Sequence, residues 1–399
     1  MAPRPCRSGL LPPRALCHGP RRGAAARWGP RLRRELAGAT RCSASLATGW
    51  APSSSAAKHV LAATGVEFDY EEMAYGRCLQ EASGCAVTEE HLQAIERIGC
   101  VLKGPIEVPS GEQADGIVEL RGRRFTSANQ ALRKLLSLYA NVRPARNLGG
   151  IGAKFPGTDI VVVRENTEGM YVGEEAWEGG EPGRSAVATR RITREGSLRV
   201  ARFAFTFAER HGRRLVTAAH KANVLRLSDG LFLECCRQVA KEFPGIEYSE
   251  QLCDSLLTAM VLEPQKWDVI VCENLYGDLV SDLAAGLVGG LGLAPSALFG
   301  SGSTAIFEPA HGSAPDIAGK PAGLVNPSSM LLSAAMLLGH VGEEDAQQRL
   351  VDALEAVIAE GQFVTRDLGG SSGTQAMAQA AAAKLMPPSG GSHPAAARL

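Results

Sequence analysis

The chain has no run of about 20 uninterrupted apolar residues, so nothing in it reads as a membrane-spanning helix. It has no net charge, with 42 Lys and Arg against 42 Asp and Glu, which argues against nucleic acid or another polyanion as its main partner. Its ten cysteines include no C-x-x-C pair, and Cys235 and Cys236 are adjacent, so neither a zinc ribbon nor a secreted disulfide scaffold is indicated. Incidental thiols in a reducing compartment are the simple reading. The glycines of GLVGGLG (286–292) do not form a G-x-G-x-x-G turn after a strand, so the ordinary dinucleotide fingerprint is missing. What is present is ample material for a packed core. Of 399 residues, 45% are hydrophobic, and the length suggests two or three domain-sized units.

The balanced charge hides an asymmetry. Residues 1–50 hold ten Arg, no Lys, no Asp and one acid, Glu35, among many Ala, Gly, Pro and Ser. Such a segment cannot bury enough apolar surface to order itself. Its Arg-rich, acid-poor character, without a continuous apolar core, is that of an organelle transit peptide. A mitochondrial matrix destination is expected, with a plastid as the alternative, and folded structure is expected from about Ser53.

Short apolar runs then alternate with helical patterns. DIVVV (159–163) and DVIVC (268–272) read as buried strands, as do 99–102 and 214–218. Helices are expected over 56–64, 88–97, 129–139, 198–209, 230–243, 277–288, 328–338 and 345–360, with a loop or small hairpin at 111–125. This alternation predicts α/β layers around a largely parallel or mixed sheet. Residues 380–399 read as frayed.

Several polar groups interrupt this scaffold. Asp278 and Asp282, four apart on one helix, share a face. They are either two hard oxygen ligands for Mg²⁺ or Mn²⁺, or two solvated acids in a first helical turn. Arg133, Arg143 and Arg164 lie in apolar surroundings. Asn129 shares the helix face of Arg133, with Ser127 at the helix start. Three guanidiniums with these donors could clamp a polycarboxylate, or could be unrelated surface arginines. Tyr171 is a candidate proton donor or a packing residue. Lys221, after a strand, is a candidate acid/base group whose pKa nearby positive charge would lower, or a surface lysine. In HGSAPDIAG (311–319) an acid could accept both hydroxyls of an adenosine ribose.

These stretches occur together in one order. SANQALRKLLSLYANVRP (127–144), RENTEGMYVGEE (164–175), HKANVLRLSDGLF (220–232), ENLYGDLVSDLAAGLVGGLGLAPS (273–296) and FEPAHGSAPDIAGK (307–320) resemble the β-decarboxylating dehydrogenases of isocitrate, isopropylmalate and homoisocitrate. The resemblance covers roughly residues 56–385. It implies an isocitrate/isopropylmalate dehydrogenase-like α/β fold, with a large domain built from both chain ends and a smaller central domain that dimerises. The corresponding division is 1–52 transit or disordered, 53–137 large domain, 138–288 small domain, 289–385 large domain with the NAD site, and 386–399 a disordered tail.

The resemblance further implies an active site shared between chains, in a homodimer or a hetero-oligomer of related subunits. Ser127, Asn129, Arg133, Arg143 and Arg164 would hold the substrate carboxylates. Asp278 and Asp282, with Asp254 of the neighbouring subunit, would bind Mg²⁺ or Mn²⁺. Tyr171 and the neighbour's Lys221 would be the acid/base pair. His311, Gly312, Asp316, Ile317 and Asn326 would line the NAD site. The Ser127-x-Asn129 pair and Asp316-Ile317 narrow the likeness to the NAD-using isocitrate branch in its mitochondrial form. A homoisocitrate or isopropylmalate enzyme, or a non-catalytic regulatory subunit, are the alternatives.

Three departures stand out. The family opens with a strand and an Ile-Pro-Gly-Asp-Gly-Ile-Gly loop, whereas residues 45–60 (SLATGWAPSSSAAKHV) read as having neither. Val108-Pro109 stands where a Thr-Pro is usual near the nicotinamide. Segment 111–126 is longer than the family's substrate loop.

Overall fold

The computed structural model describes residues 42–48, 52–74, 76, 79, 85–106, 117–152, 154–180, 182–314, 317 and 323–386. Its centre is an eleven-stranded sheet. In chain order the strands of that sheet are β1 (Cys42–Thr48), β2 (Phe68–Tyr70), β3 (Met73–Ala74) and β4 (Cys100–Lys103), then β7 (Ala140–Arg146) and β8 (Asp159–Glu165). β11 (Leu215–His220), β12 (Glu247–Leu252), β13 (Val269–Cys272), β14 (Pro295–Phe299) and β15 (Ala305–Pro309) complete it. Two short hairpins stand outside it, β5–β6 (Val118–Leu120 and Arg123–Phe125) and β9–β10 (Glu175–Trp177 and Ala186–Ala188).

The sheet order is β12-β11-β13-β8-β7-β14-β15-β4-β1-β2, with β3 also on β1. The β12-β11-β13-β8 half and the β15-β4-β1-β2 half are parallel, and antiparallel pairings of β8 with β7, β7 with β14 and β14 with β15 join them. The fold is therefore mixed α/β, as expected. Strands buried on both faces read as continuous apolar runs, and β8 shows why. Val161 and Val163 enter one core cluster while Ile160 and Val162 enter another on the opposite face.

Helices cover both faces. They are α1 (Pro52–Ala63), α2 (Glu89–Ile98), α3 (Ala128–Leu135), α4 (Arg194–Arg210), α5 (Ser228–Ala240), α6 (Cys253–Leu262), α7 (Asn274–Leu287), α8 (Ser328–His340), α9 (Glu344–Glu360) and α10 (Thr374–Leu385). Among the described residues no helix is long and apolar enough to cross a membrane.

Several expectations are corrected. β1 lies inside the segment expected to be unstructured before Ser53. It inserts between β4 and β2, with Ser45 opposite Val101 and Cys42 opposite Phe68. CSASLAT carries little intrinsic strand preference, so its backbone is held by neighbours on both sides rather than by its own propensity. Residues 1–41 and 49–51 lie outside the described residues, as do 107–116, 316 and 387–399.

The helix expected over 129–139 stops at Leu135. Ser137, at a φ of 49°, turns the chain into β7. α10 replaces the expected frayed end as far as Leu385. Its Ala378, Ala381 and Ala382 are buried, and it packs on α1, so an alanine-rich surface that looks featureless in sequence is a close helix–helix contact.

One buried titratable group makes the fold acid-sensitive. His340, at the end of α8, lies between Phe299 and Phe307, with ring centroids 5.8 and 5.5 Å away. Burial pushes its pKa down to about 4. A base with a depressed folded-state pKa contributes fully above its unfolded value, and that contribution is lost as pH falls from about 6.5 towards 4. His340→Leu should therefore flatten the acid limb of the stability curve, by about 3 kcal/mol at pH 4. Urea midpoints measured from pH 7 to 4 would read this, and parallel acid limbs for the two proteins would refute it.

Candidate active site

The C-terminal end of β8 carries Arg164, one of the largest fully buried side chains in the protein. α7 follows the parallel neighbour β13 and crosses this end. Gly277 permits the crossing, because a Cβ there would lie 2.5 Å from Arg164 Cγ. With α7 this close, Arg164 donates from Nε and Nη2 to Asn274 Oδ1, at 3.0 and 2.7 Å, and its Nη1 meets Asp278. Arg143, from the antiparallel neighbour β7, reaches the same helix face. Its Nη1 is 3.2 Å from Asp278 Oδ1, 2.8 Å from Ser281 Oγ and 3.3 Å from Asp282 Oδ1. Tyr171, in a short 3₁₀ turn after β8, donates its phenol to Asp278 Oδ2 at 2.6 Å. The guanidinium of Arg164 lies 5.0 Å from the Tyr171 ring centroid.

Asp278 is thus a hub for two guanidiniums and a phenol. Burial opposes its ionisation, but Arg164 and Arg143 outweigh burial and hold the carboxyl below its ordinary range. Burial, then the neighbouring Arg143, brings the Arg164 guanidinium down to about 10. Burial and the Asp278 carboxylate raise the Tyr171 phenol, which keeps it protonated. Asp282 is shifted upward by burial, with Arg143 opposing.

Arg133, on α3, faces the same space. Burial lowers its pKa, and Glu308, Arg143, Asp278 and Tyr171 all act on it electrostatically. Its Nη2 stands 3.9 Å from Glu308 Oε1, and Glu308 is also ion-paired with Lys103. Ser127 Oγ caps α3 by accepting from Gln130 N at 3.2 Å, which leaves its hydroxyl hydrogen available to a ligand. Asn129 is half-buried one turn before Arg133.

Lys221 and Asp254 stand apart from this cluster. Lys221 Nζ is 2.8 Å from Asp254 Oδ1, and the pair sits at the ends of the adjacent parallel strands β11 and β12. Among the described residues no three His, Cys, Asp or Glu side chains gather to hold a metal ion. Asp278 and Asp282 both meet Arg143, which brings two carboxylates together on one helix face. Hard oxygen donors of this kind fit Mg²⁺ or Mn²⁺.

In the expected NAD region, His311 Nδ1 is 2.8 Å from the Gly312 carbonyl, and its Nε2 is buried without a partner. Asn326 is anchored by donating to Asp367 at 2.8 Å and accepting from Ser328 N at 2.9 Å. Ile317 is exposed, and Asp316 lies outside the described residues. The orphaned His311 ring nitrogen is a buried polar atom that a ligand such as a nucleotide could satisfy.

Sequence reading missed Asn274, Ser281, Lys103 and Glu308. Asn274 and Ser281 sit one helical turn on either side of Asp278, so the α7 face already implied them. Lys103 and Glu308 end two strands paired in the sheet, which no local pattern announces.

The model of the isocitrate/isopropylmalate dehydrogenase family matches residues 52–381. The chain belongs to that family. It is 44% identical over 318 residues to an NAD isocitrate dehydrogenase catalytic subunit (subunit 5, mitochondrial) of Arabidopsis thaliana, covering 79% of this chain and 80% of that one. It is also 44% identical over 330 residues to the 3-isopropylmalate dehydrogenase of Archaeoglobus fulgidus, covering 83% of this chain and 94% of that one. The crystal structure of isocitrate dehydrogenase from Methylococcus capsulatus superimposes with a TM-score of 0.80 at 41% identity, over 86% of this chain and 99% of that one. Family membership makes the chain kin to decarboxylating dehydrogenases, and relatives of equal identity act on different substrates.

Proposed function

We propose that this protein oxidises isocitrate with NAD⁺ and decarboxylates it to 2-oxoglutarate and CO₂, in the mitochondrial matrix. The observation that carries this reading is the convergence of Arg133, Arg143 and Arg164, from α3, β7 and β8, around Asp278 and Tyr171. Guanidiniums pair bidentately with carboxylates, and three of them in one space match a tricarboxylate better than an alkyl-substituted malate. Ser127 and Asn129 add neutral donors on the Arg133 side. A divalent cation bound by Asp278 and Asp282 would polarise the substrate's hydroxyl and adjacent carboxylate. NAD⁺, lodged near His311 and Asn326, would accept the hydride.

The chain's own groups then divide the proton work. The Lys221 of the partner subunit, set by the partner's Asp254, takes the hydroxyl proton. Tyr171, kept protonated by burial and Asp278, delivers a proton to the carbon that loses CO₂. The arginines hold the remaining carboxylates. Support for the partner's role comes from exposed apolar side chains near the Lys221–Asp254 pair and on α7. Leu227 is 90% exposed, Leu262 73%, Val224 65% and Leu279 52%. Such a surface fits burial against a second subunit, identical or related.

The reading is tested by a panel of isocitrate, homoisocitrate and 3-isopropylmalate with Mn²⁺ and either NAD⁺ or NADP⁺. Isocitrate with NAD⁺ should give the largest kcat/KM. Asn129→Ala should lower kcat/KM for isocitrate by about 100-fold and leave that for an alkyl malate within a few-fold, because only the carboxylated substrate loses a buried partner. Faster turnover of 3-isopropylmalate by the unmodified protein would overturn the substrate assignment.

A further inference from the structure

Between the two half-sites runs a buried chain of charged groups that the reaction itself does not use. Asp229, in the first turn of α5, is 1% exposed. Its Oδ2 accepts the backbone N–H of Lys221 at 2.5 Å. Its Oδ1 accepts from Arg190 Nη1 at 2.5 Å, and the same Nη1 donates to Ser228 Oγ at 2.7 Å. Arg190 lies two residues past the β9–β10 hairpin, whose Trp177 and Val187 are exposed. The other arm of its guanidinium, Nη2, stands 3.5 Å from Glu273 Oε1. Glu273 is the N-cap of α7, and its Oε1 accepts Tyr276 N at 2.9 Å. Its Oε2 packs towards Gly169, where a Cβ would come within 2.7 Å, in the turn that leads to Tyr171.

We propose that Arg190 is a positioning residue that ties the loop presenting Lys221 to the N-terminus of the helix presenting Asp278 and Asp282. The half-site this chain lends its partner and the half-site it keeps then move as one unit. One guanidinium neutralises two carboxylates, each of which fixes a backbone amide of a different functional segment. The link is taut at Asp229 and slack at Glu273. Arg190 Nη2 and Glu273 Oε2 are both buried without a hydrogen-bond partner, and buried polar atoms of this kind are rare unless another arrangement satisfies them. A small shift of the α7 cap towards Arg190 closes the gap, and the same shift carries Asp278 with it. A cation or substrate drawing on Asp278 in one site is therefore felt at the Lys221 that serves the other, and the reverse also holds.

The assignment of Lys221 to a partner's site rests on the function proposed above, whereas the tie between the two segments does not. Without Arg190, the Asp229 and Glu273 carboxylates become buried and uncompensated, so they turn to water or take up protons and release the amides they hold. In Arg190→Met, amide exchange at both Lys221 and Tyr276 should quicken by about tenfold or more, the loss of one charge-assisted hydrogen bond, and Arg190→Lys, which keeps a charge without the two-armed fork, should restore part of the protection. Loosening at only one of the two amides, or at neither, overturns the proposal. Global unfolding is separated by the Lys variant and by amides of the β8 core, which should keep their protection.

Turnover gives the second readout. At saturating Mn²⁺, where the arm to α7 no longer limits the rate, Arg190→Met should lower kcat about tenfold or more in the otherwise unmodified protein and have no further effect on a Lys221→Met background, since what remains acts through that lysine. The Mn²⁺ dissociation constant, read by the free-ion electron paramagnetic resonance signal, should rise in both backgrounds. Multiplying kcat losses would show that Arg190 does not act through Lys221. Failure of the functional reading shows differently. The unmodified protein would then turn over none of the hydroxy acids, while the exchange measurement would still decide the tie.

Discussion

A mixture of Lys221→Met and Asp278→Asn proteins, dissociated and reassembled together, should recover activity that neither has alone. With Lys221 as the proposed proton acceptor and Asp278 as a proposed cation ligand, each variant by itself should lose about 10²–10⁴ in kcat, the usual worth of a positioned proton-transfer group. Within one chain Lys221 pairs with Asp254, while Asp278 and Asp282 meet at Arg143. A shared site therefore needs one chain's aspartates and the other chain's lysine. In a mixed dimer one site combines an intact Asp278 with an intact Lys221 and the other has neither. Random reassociation makes about half the dimers mixed, so about a quarter of full activity should return. Initial rates before and after reassembly measure this. Recovery indistinguishable from the sum of the separate variants would place the site within one chain and overturn the arrangement.

The second large effect concerns stability. Glu308 is buried between Lys103 and Arg133, and Lys103 is itself only 2% exposed. Burial penalises the Glu308 carboxylate, but the two cations more than offset this and hold its pKa below the ordinary range. Glu308→Gln leaves two cations facing each other without the anion and should cost about 3–5 kcal/mol. The double change Lys103→Met with Glu308→Leu removes the charge pair altogether and should recover most of that loss. Denaturant unfolding of the three proteins provides the comparison. A double variant no more stable than the single one would show that the pair matters for shape rather than for charge balance. Because a depressed carboxyl contributes above its unfolded pKa, the Glu308 contribution should also fade as pH drops through its folded value.

The parts legible in the chain were those in which spacing alone decides geometry. Asp278 and Asp282 share a helix face because they are four residues apart, and Arg133 follows Asn129 for the same reason. The double-sided burial of β8 and β13 is written in their unbroken valine and isoleucine runs. β7 (ANVRPAR) was not legible, since a strand with two Arg and a Pro breaks the apolar pattern. It forms because β8 and β14 flank it on both sides, and because Arg143 spends its charge on α7. β1 is not legible in the chain because it lies in an Arg-rich, acid-poor stretch of transit-peptide character. The end of α10, from residue 380, reads as frayed in the sequence because its alanines look like composition rather than packing.

Local pattern and residue type specify the alternation of elements, the family and the identities of the groups that can do chemistry. They can do so because they require nothing of distant neighbours. Which of those groups meet is a matter of long-range packing. Asp278 is joined to Arg143, Arg164 and Tyr171, residues more than 100 positions away in the chain, because β8 and its antiparallel neighbour β7 lie side by side beneath α7 and Gly277 lets that helix lie against them. Lys221 and Asp254, equally plain in sequence, are held apart from them by the same sheet. Contact between residues so distant in the chain is set by strand order and close packing, which no local window contains.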